Sequence, residues 1–210
     1  VVDGVSCIGA VEVDLVKDNI DVLVSGSQKA IMLPPGLAFV AYNDRAKQRF
    51  NEVTTPRFYL DLNKYIDSAN NHSTPFTPNV ALFRGVNAYV DLVKHEGFNH
   101  VIERHYLIRD ALRAALTALN LKLLVDDDDV ASPTVTAFIP NTKDELSLIK
   151  NQLKSRFNIT IAGGQGHLKG KILRIGHMGK ISPFDILSVV SALELILTEA
   201  RKTNYIGTGI

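Results

Sequence analysis

Cysteine is almost absent from this sequence: one thiol, Cys7, occurs in 210 residues. A single thiol excludes an internal disulfide framework and fits a reducing compartment. An excess of charge of either sign is missing too. The 23 Lys+Arg and 22 Asp+Glu leave a formal net charge of +1, so nothing points to a nucleic-acid or other polyanionic partner. No apolar run approaches membrane-spanning length and no signal-peptide pattern is visible, so no membrane partner is expected. Internal repeats and low-complexity linkers are lacking. What remains is a chain with an ordinary apolar share, 46%, and room for one large or two small domains with a real core.

Three stretches fall short of motifs they superficially suggest. Asp126-Asp127-Asp128-Asp129 lacks EF-hand spacing and its turn glycine, and consecutive acids cannot all face one ion, so it reads as a solvated turn and no metal site is expected. Gly163-Gly164-Gln165-Gly166 lacks the Lys-Ser/Thr of a P-loop and precedes a strand where a phosphate-binding helix should begin; it reads as a flexible hairpin. The basic residues His167, Lys169, Lys171, Arg174, His177 and Lys180 have no aromatic platforms interleaved for stacking bases.

The informative stretch is Ser25-Gly26-Ser27-Gln28-Lys29. It follows the apolar run Ile20-Asp21-Val22-Leu23-Val24 and precedes Pro34-Pro35-Gly36. A buried strand therefore ends in a turn of small residues, with a lysine at its lip. Such a lysine is either a surface cation or a partly dry amine whose lowered pKa lets it form an imine with an aldehyde. Val1-Val2-Asp3-Gly4-Val5 reads as a second strand, ending in an acid and a glycine. Valine at the first position, inside such a strand, suggests the C-terminal part of a longer protein.

Further along, periodicity predicts a strand over 37–42 and helices over 45–53, 59–69, 79–95 and 98–119. Val80, Phe83, Val86, Val90 and Val93 should pack as one face of the third helix. Gly97 should interrupt, and strands are expected over 121–125, 135–139, 159–162 and 172–175. Thr142 and Glu145 form a capping-box pattern before a helix over 142–157, and Pro183 opens a last helix reaching about 202. Arg174 lies near a strand end between apolar neighbours; read by itself, it is a stem along the sheet with its head in water.

Together, Asp3, Gln28-Lys29 and Pro34-Pro35-Gly36 are similar in order and spacing to the class V, fold-type I aminotransferases, and within them to the alanine–glyoxylate and serine–pyruvate (serine–glyoxylate) group. The resemblance implies an α/β fold: the end of the large cofactor domain over 1–95 and a small α+β domain over 96–210. It implies pyridoxal 5'-phosphate (PLP) as cofactor, held as a Schiff base by Lys29, with Asp3 against the pyridine nitrogen. Val5 would pack on the ring and Gln28 would reach the phosphate region. Thr74 and Thr77 would reach the phosphate of a neighbouring subunit in a cytoplasmic homodimer, although Thr77 also suits a helix cap. Arg174 would grip the substrate α-carboxylate. The implied reaction moves an amino group from serine or alanine to glyoxylate or pyruvate. Cys7 departs from the family, where serine is frequent at that place.

Two alternatives accompany this expectation. Phosphoserine aminotransferases also carry Gln-Lys, and His177 or Lys171 could meet a substrate phosphate. A chain lacking the family's upstream phosphate-binding turn could instead be a folded remnant that binds no PLP by itself. Cysteine desulfurases fit poorly, because they carry histidine before the lysine and a reactive cysteine downstream.

Overall fold

Val2–Asp3 (β1) and Val22–Gly26 (β2) pair in parallel, with Asp3 opposite Val24. β2 pairs antiparallel with Ala38–Tyr42 (β3), giving a three-stranded sheet of order β1-β2-β3 in this computed structural model of residues 1–210. The contacts divide the chain into two units, one of residues 1–8 and 12–96 and one of residues 9–11 and 97–210.

In the first unit three helices follow the sheet: Asp44–Glu52 (α1), Leu62–Asn70 (α2) and Val80–Glu96 (α3). Each start is fixed by a short polar side chain that satisfies an otherwise orphaned amide. Asn43 accepts from the Ala46 N–H, Asp61 from Asn63, and Asn79 from Leu82 at 3.2 Å. Two expectations change as a result. The second helix begins at Leu62 rather than at Tyr59, because Asp61 caps it; Tyr59 instead joins a ring cluster with Phe58, Tyr65 and Phe76. The capping role open to Thr77 falls to Asn79.

The predicted apolar face of α3 is also not the packed one. Val80, Phe83 and Val90 are exposed, and Leu82 is its buried residue. The side of α3 that packs holds Leu82 and Gly85, and it meets the segment after Lys29. A Cβ on Gly36 would lie 2.7 Å from Leu82 Cδ1, and one on Gly85 would lie 2.8 Å from Leu33 Cδ2. At Gly36 the positive φ of 148° also favours glycine, whereas at Gly85 a larger residue would have to displace the Leu33 side chain.

Gly97, at φ 91°, separates α3 from Phe98–Ala118 (α4). Lys122–Leu123 (β4), Val135–Ile139 (β5), Ala162–Gly163 (β6) and Leu173–Gly176 (β7) then form an antiparallel sheet of order β4-β5-β7-β6. Lys143–Phe157 (α5) and Pro183–Arg201 (α6) complete the second unit. Alternation along the strands decides the faces: Thr136, Phe138, Leu173 and Ile175 are buried, whereas Val135, Ala137, Arg174 and Gly176 are not. The core joins Phe138 and Leu173 to Leu112, Leu116, Ile149, Leu153, Leu193 and Ile196. Full burial of a side chain such as Phe138 contributes about 2–3 kcal/mol.

Several elements are shorter or tied differently than expected. The strands over 121–125 and 159–162 shrink to the two-residue β4 and β6, while Leu121 and Ile161 serve the core. The capping box of α5 is half made. Thr142 Oγ1 accepts from Glu145 N, but Glu145 accepts from Asn141 N and from Arg201 Nε, each at 2.6 Å. Burial beside an arginine on α6 has recruited that carboxylate. Ser182 and Asp185 form the complete box, with Pro183 in the first turn of α6. The acidic stretch is anchored as well as solvated: Arg113 Nε donates to Asp128 Oδ1 at 2.6 Å, and Arg113 and Arg109 donate to the carbonyls of Asp126, Asp128 and Ala131.

Candidate active site

Two adjacent parallel strands end on the same side of the first sheet, the side where open α/β sheets place ligands. Asp3 closes β1, and one carboxylate oxygen accepts from Val5 N at 2.9 Å. Its other oxygen has no partner in the chain, and the residue is exposed. Gly4 N continues the pairing onto Val24 O at 2.8 Å. A Cβ on Gly4 would strike Ile8, Leu23 and Val24 O, so glycine lets the chain turn away here. Cys7 donates to Gly4 O, and burial, then the charge of Asp3, push its thiol pKa up. It is therefore a protonated thiol, not a nucleophile.

β2 runs on past Gly26 into the turn that carries Lys29. Ser27, fully buried, ties that turn together: its hydroxyl donates to Pro34 O at 2.7 Å and accepts from Leu37 N at 3.2 Å. Its backbone carbonyl accepts from Leu33 N and its N–H donates to Leu37 O. Residues 28–36 thus form a closed loop whose two ends meet on one serine. Sequence reasoning treated Ser27 only as a small turn residue; the signal was a serine just before Gln-Lys with two prolines a few residues on. Lys29 lies inside this loop, half-buried, and its amine makes no hydrogen bond or ion pair in the chain. Gln28 is exposed and folds back over Gly26, where a Cβ would sit 2.7 Å from its Oε1.

Val5 lies half-buried just past Asp3. Thr74 and Thr77 are exposed on the segment before α3. Thr74 Oγ1 is occupied, donating to Phe76 O at 2.9 Å, whereas the Thr77 hydroxyl has no partner in the chain. The Phe76 ring packs tilted against Tyr59, 4.8 Å between centroids, and edge-on to Phe58 at 5.5 Å, so an aromatic cluster that sequence reasoning missed steadies this segment.

Arg174 belongs to the second unit, on β7, opposite Ala137 on β5 and Ala162 on β6. Its Nε donates to Gly163 O at 2.8 Å. No carboxylate pairs with it, and its two terminal nitrogens are uncommitted, a free fork of the geometry that suits a carboxylate. Three residues on, His177 is buried with Nε2 at 2.8 Å from Thr136 Oγ1. Burial, with His105 and Arg109 nearby, holds its pKa down to about 4. The alternative in which His177 meets a substrate phosphate is therefore corrected: this imidazole is neutral and packed inside the unit. Lys171 is exposed.

Residues 1–182 match the family model described as aminotransferase class-V. The chain belongs to that family. As a class V aminotransferase chain it is 46% identical to a protein of Synechococcus sp. (strain PCC 6716) named soluble hydrogenase, small subunit, covering 100% of this chain and 54% of that protein. It is 31% identical to L-aspartate–glyoxylate aminotransferase of Paracoccus denitrificans, over 100% of this chain and 53% of the relative. The crystal structure of pyridoxamine–pyruvate aminotransferase from Mesorhizobium loti superposes with a TM-score of 0.90 at 30% identity, over 100% of this chain and 54% of the other. The chain thus spans about half the length of the curated relatives it matches. The same structural likeness gives it the α/β fold of the fold-type I aminotransferases.

Class V aminotransferases use pyridoxal phosphate. The donor set of the first unit fits that group. An amine without a partner and a carboxylate with one free oxygen stand at the ends of neighbouring parallel strands, suited to an aldehyde and to a protonated ring nitrogen.

Proposed function

We propose that this chain supplies the lysine, the ring-facing acid and the carboxylate-binding arginine of a PLP-dependent aminotransferase. The reaction moves an amino group from serine or alanine to glyoxylate or pyruvate. The observation that carries the reading is Lys29: a half-buried amine without a partner, in a loop closed on Ser27, at the same strand ends as Asp3. Lys29 would hold the cofactor covalently through Nζ, and Asp3 would keep its ring nitrogen protonated. Val5 would pack against the ring, Gln28 would hydrogen-bond the phosphate region, and Thr77 would reach the phosphate of a neighbouring copy. Thr74 serves there only by releasing Phe76 O.

When bound, PLP supplies an electron sink for the pair left at the substrate α-carbon. The protein's part is proton transfer and grip. Lys29 Nζ, freed when the substrate amine takes its place, would carry the proton from the substrate Cα to the cofactor, and the two terminal nitrogens of Arg174 would bind the α-carboxylate. Residues 1–95 act as the end of a cofactor domain and 96–210 as a small domain, in a cytoplasmic homodimer whose second copy receives the 74–77 segment at its phosphate. The hydrogenase name of the Synechococcus relative does not redirect this reading, since one cysteine gives these residues no thiolate set for an iron–sulfur cluster.

The test is chemical. The protein is incubated with PLP, reduced with borohydride and digested. The expected result is a yellow protein with the reduced adduct on the peptide containing Lys29, absent in Lys29→Ala. No adduct with either the complete protein or the 210-residue chain overturns the proposal. An adduct with the complete protein alone shows that residues outside this chain finish the pocket.

A further inference from the structure

The glycine pair at the end of β6 does more than turn the chain. We propose that Gly163 and Gly164 form the positioning element of the carboxylate-binding arginine, so that Arg174 meets its ligand with its fork already aimed. This rests on the assignment of Arg174 under the proposed function.

Arg174 is held at one nitrogen only. Its Nε donates to the Gly163 carbonyl at 2.8 Å, across the β6–β7 pair in which Ala162 faces Arg174 and Gly163 faces Leu173. That bond fixes the plane of the guanidinium and uses an N–H that a bidentate end-on grip through the terminal nitrogens does not need. Both strand neighbours in register, Ala137 and Ala162, are too small to cover the head group or bond to it. The Gly163 carbonyl is thus the group that sets its direction.

Gly164 in turn holds that carbonyl in place. Its N–H donates to Ile172 O at 3.2 Å, locking the hairpin to β7. The single helical turn Gly166–Leu168 folds back so tightly that a Cβ on Gly164 would lie 2.1 Å from Leu168 O and 2.9 Å from Ile172 Cγ1. A backbone oxygen cannot yield as a side-chain tip can, so any larger residue must move the hairpin and with it the peptide between residues 163 and 164. Gly163 is different: a Cβ there meets only Lys150 Nζ, at 3.8 Å. The Gly-Gly-x-Gly run is therefore asymmetric, with one glycine dispensable as a side chain and one obligatory.

The experiment uses the complete holoenzyme and compares an amino acid with its carboxamide, for example alanine with alaninamide, by titrating the cofactor's absorbance. Gly164→Ala is expected to weaken the amino acid by about tenfold or more, the loss of one charge-assisted bond, while leaving the carboxamide unchanged. Equal weakening of both ligands, or none, in a folded Gly164→Ala overturns the proposal. Arg174→Lys separates the two readings. If it leaves the preference for carboxylate intact, the assignment of Arg174 fails; if it removes the preference while Gly164→Ala does not, the positioning role alone fails. Should Gly164→Ala not fold, the unaltered protein decides the matter. In nitrogen-15 arginine spectra, with Arg174→Lys as the assignment control, the Arg174 Nε–H should exchange with water far more slowly than exposed arginines before any ligand is added. Exchange as fast as theirs refutes the held fork.

Discussion

His177 makes the stability of the second unit depend on pH in a window where carboxylates are silent. Its ring is 1% exposed, between Thr136 on β5 and the α4 residues His105 and Arg109, and its pKa falls from 6.5 to about 4. The native state therefore holds it neutral, while the unfolded chain binds a proton below pH 6.5. A depressed histidine stabilises the fold in full above its unfolded value, and that stabilisation drains away as pH falls towards the folded value. At ~1.4 kcal/mol per unit the whole difference is about 3.4 kcal/mol, of which about 2 kcal/mol is gone by pH 5. The carboxylates held low by partners, Asp21 at about 2 with Asp14, Asp185 and Glu199, start from ordinary values of 3.8 or 4.5 and act mostly at lower pH. Urea unfolding at pH 7.5 and pH 5 should thus show the loss, and His177→Gln should remove most of it. An undiminished pH dependence in His177→Gln would refute the reasoning.

Glu145→Ala should destabilise the protein by about 3 kcal/mol in urea unfolding, since Arg201, 15% exposed at its side chain, loses the carboxylate it contacts at 2.6 Å. Phe138→Ala, at a site with no solvent exposure, should cost about 3–5 kcal/mol in the same assay through lost transfer energy and the cavity left behind. Thr142→Ala should cost about 1 kcal/mol, read as a lower melting temperature, because the Glu145 N–H loses its cap acceptor. Arg174→Lys should lower affinity for a carboxylate ligand by about tenfold or more while keeping the charge, measured by titration; it lacks both the fork and the Nε–H that Gly163 holds.

Local chemistry was enough to read much of this chain. The helices over 45–53 and 142–157, the one opened by Pro183, the break at Gly97 and the strand over 135–139 follow from spacing, caps and breakers that act within a few residues. Asp3 and Lys29, with the prolines beyond, were legible as a pattern because their order along the chain is itself the signal. The family followed from that pattern, and the match over residues 1–182 agrees with it.

Other features depend on residues far apart in sequence, and only folding brings those together. No periodicity says that Leu82 and Gly85, not Val80 and Phe83, form the packed side of α3, because the decision lies with Leu33 and Gly36 on another segment. Glu145 turns from its own cap to Arg201, 56 residues away, and His177 becomes a buried neutral ring because Thr136 and α4 enclose it. Gly163 and Gly164 read as a slack hairpin until the carbonyl of one meets Arg174 and the missing Cβ of the other makes room for Leu168. Sequence fixes which groups are available and which short-range bonds they make. Burial, which decides what a charge or a glycine is for, is a property of the assembled chain.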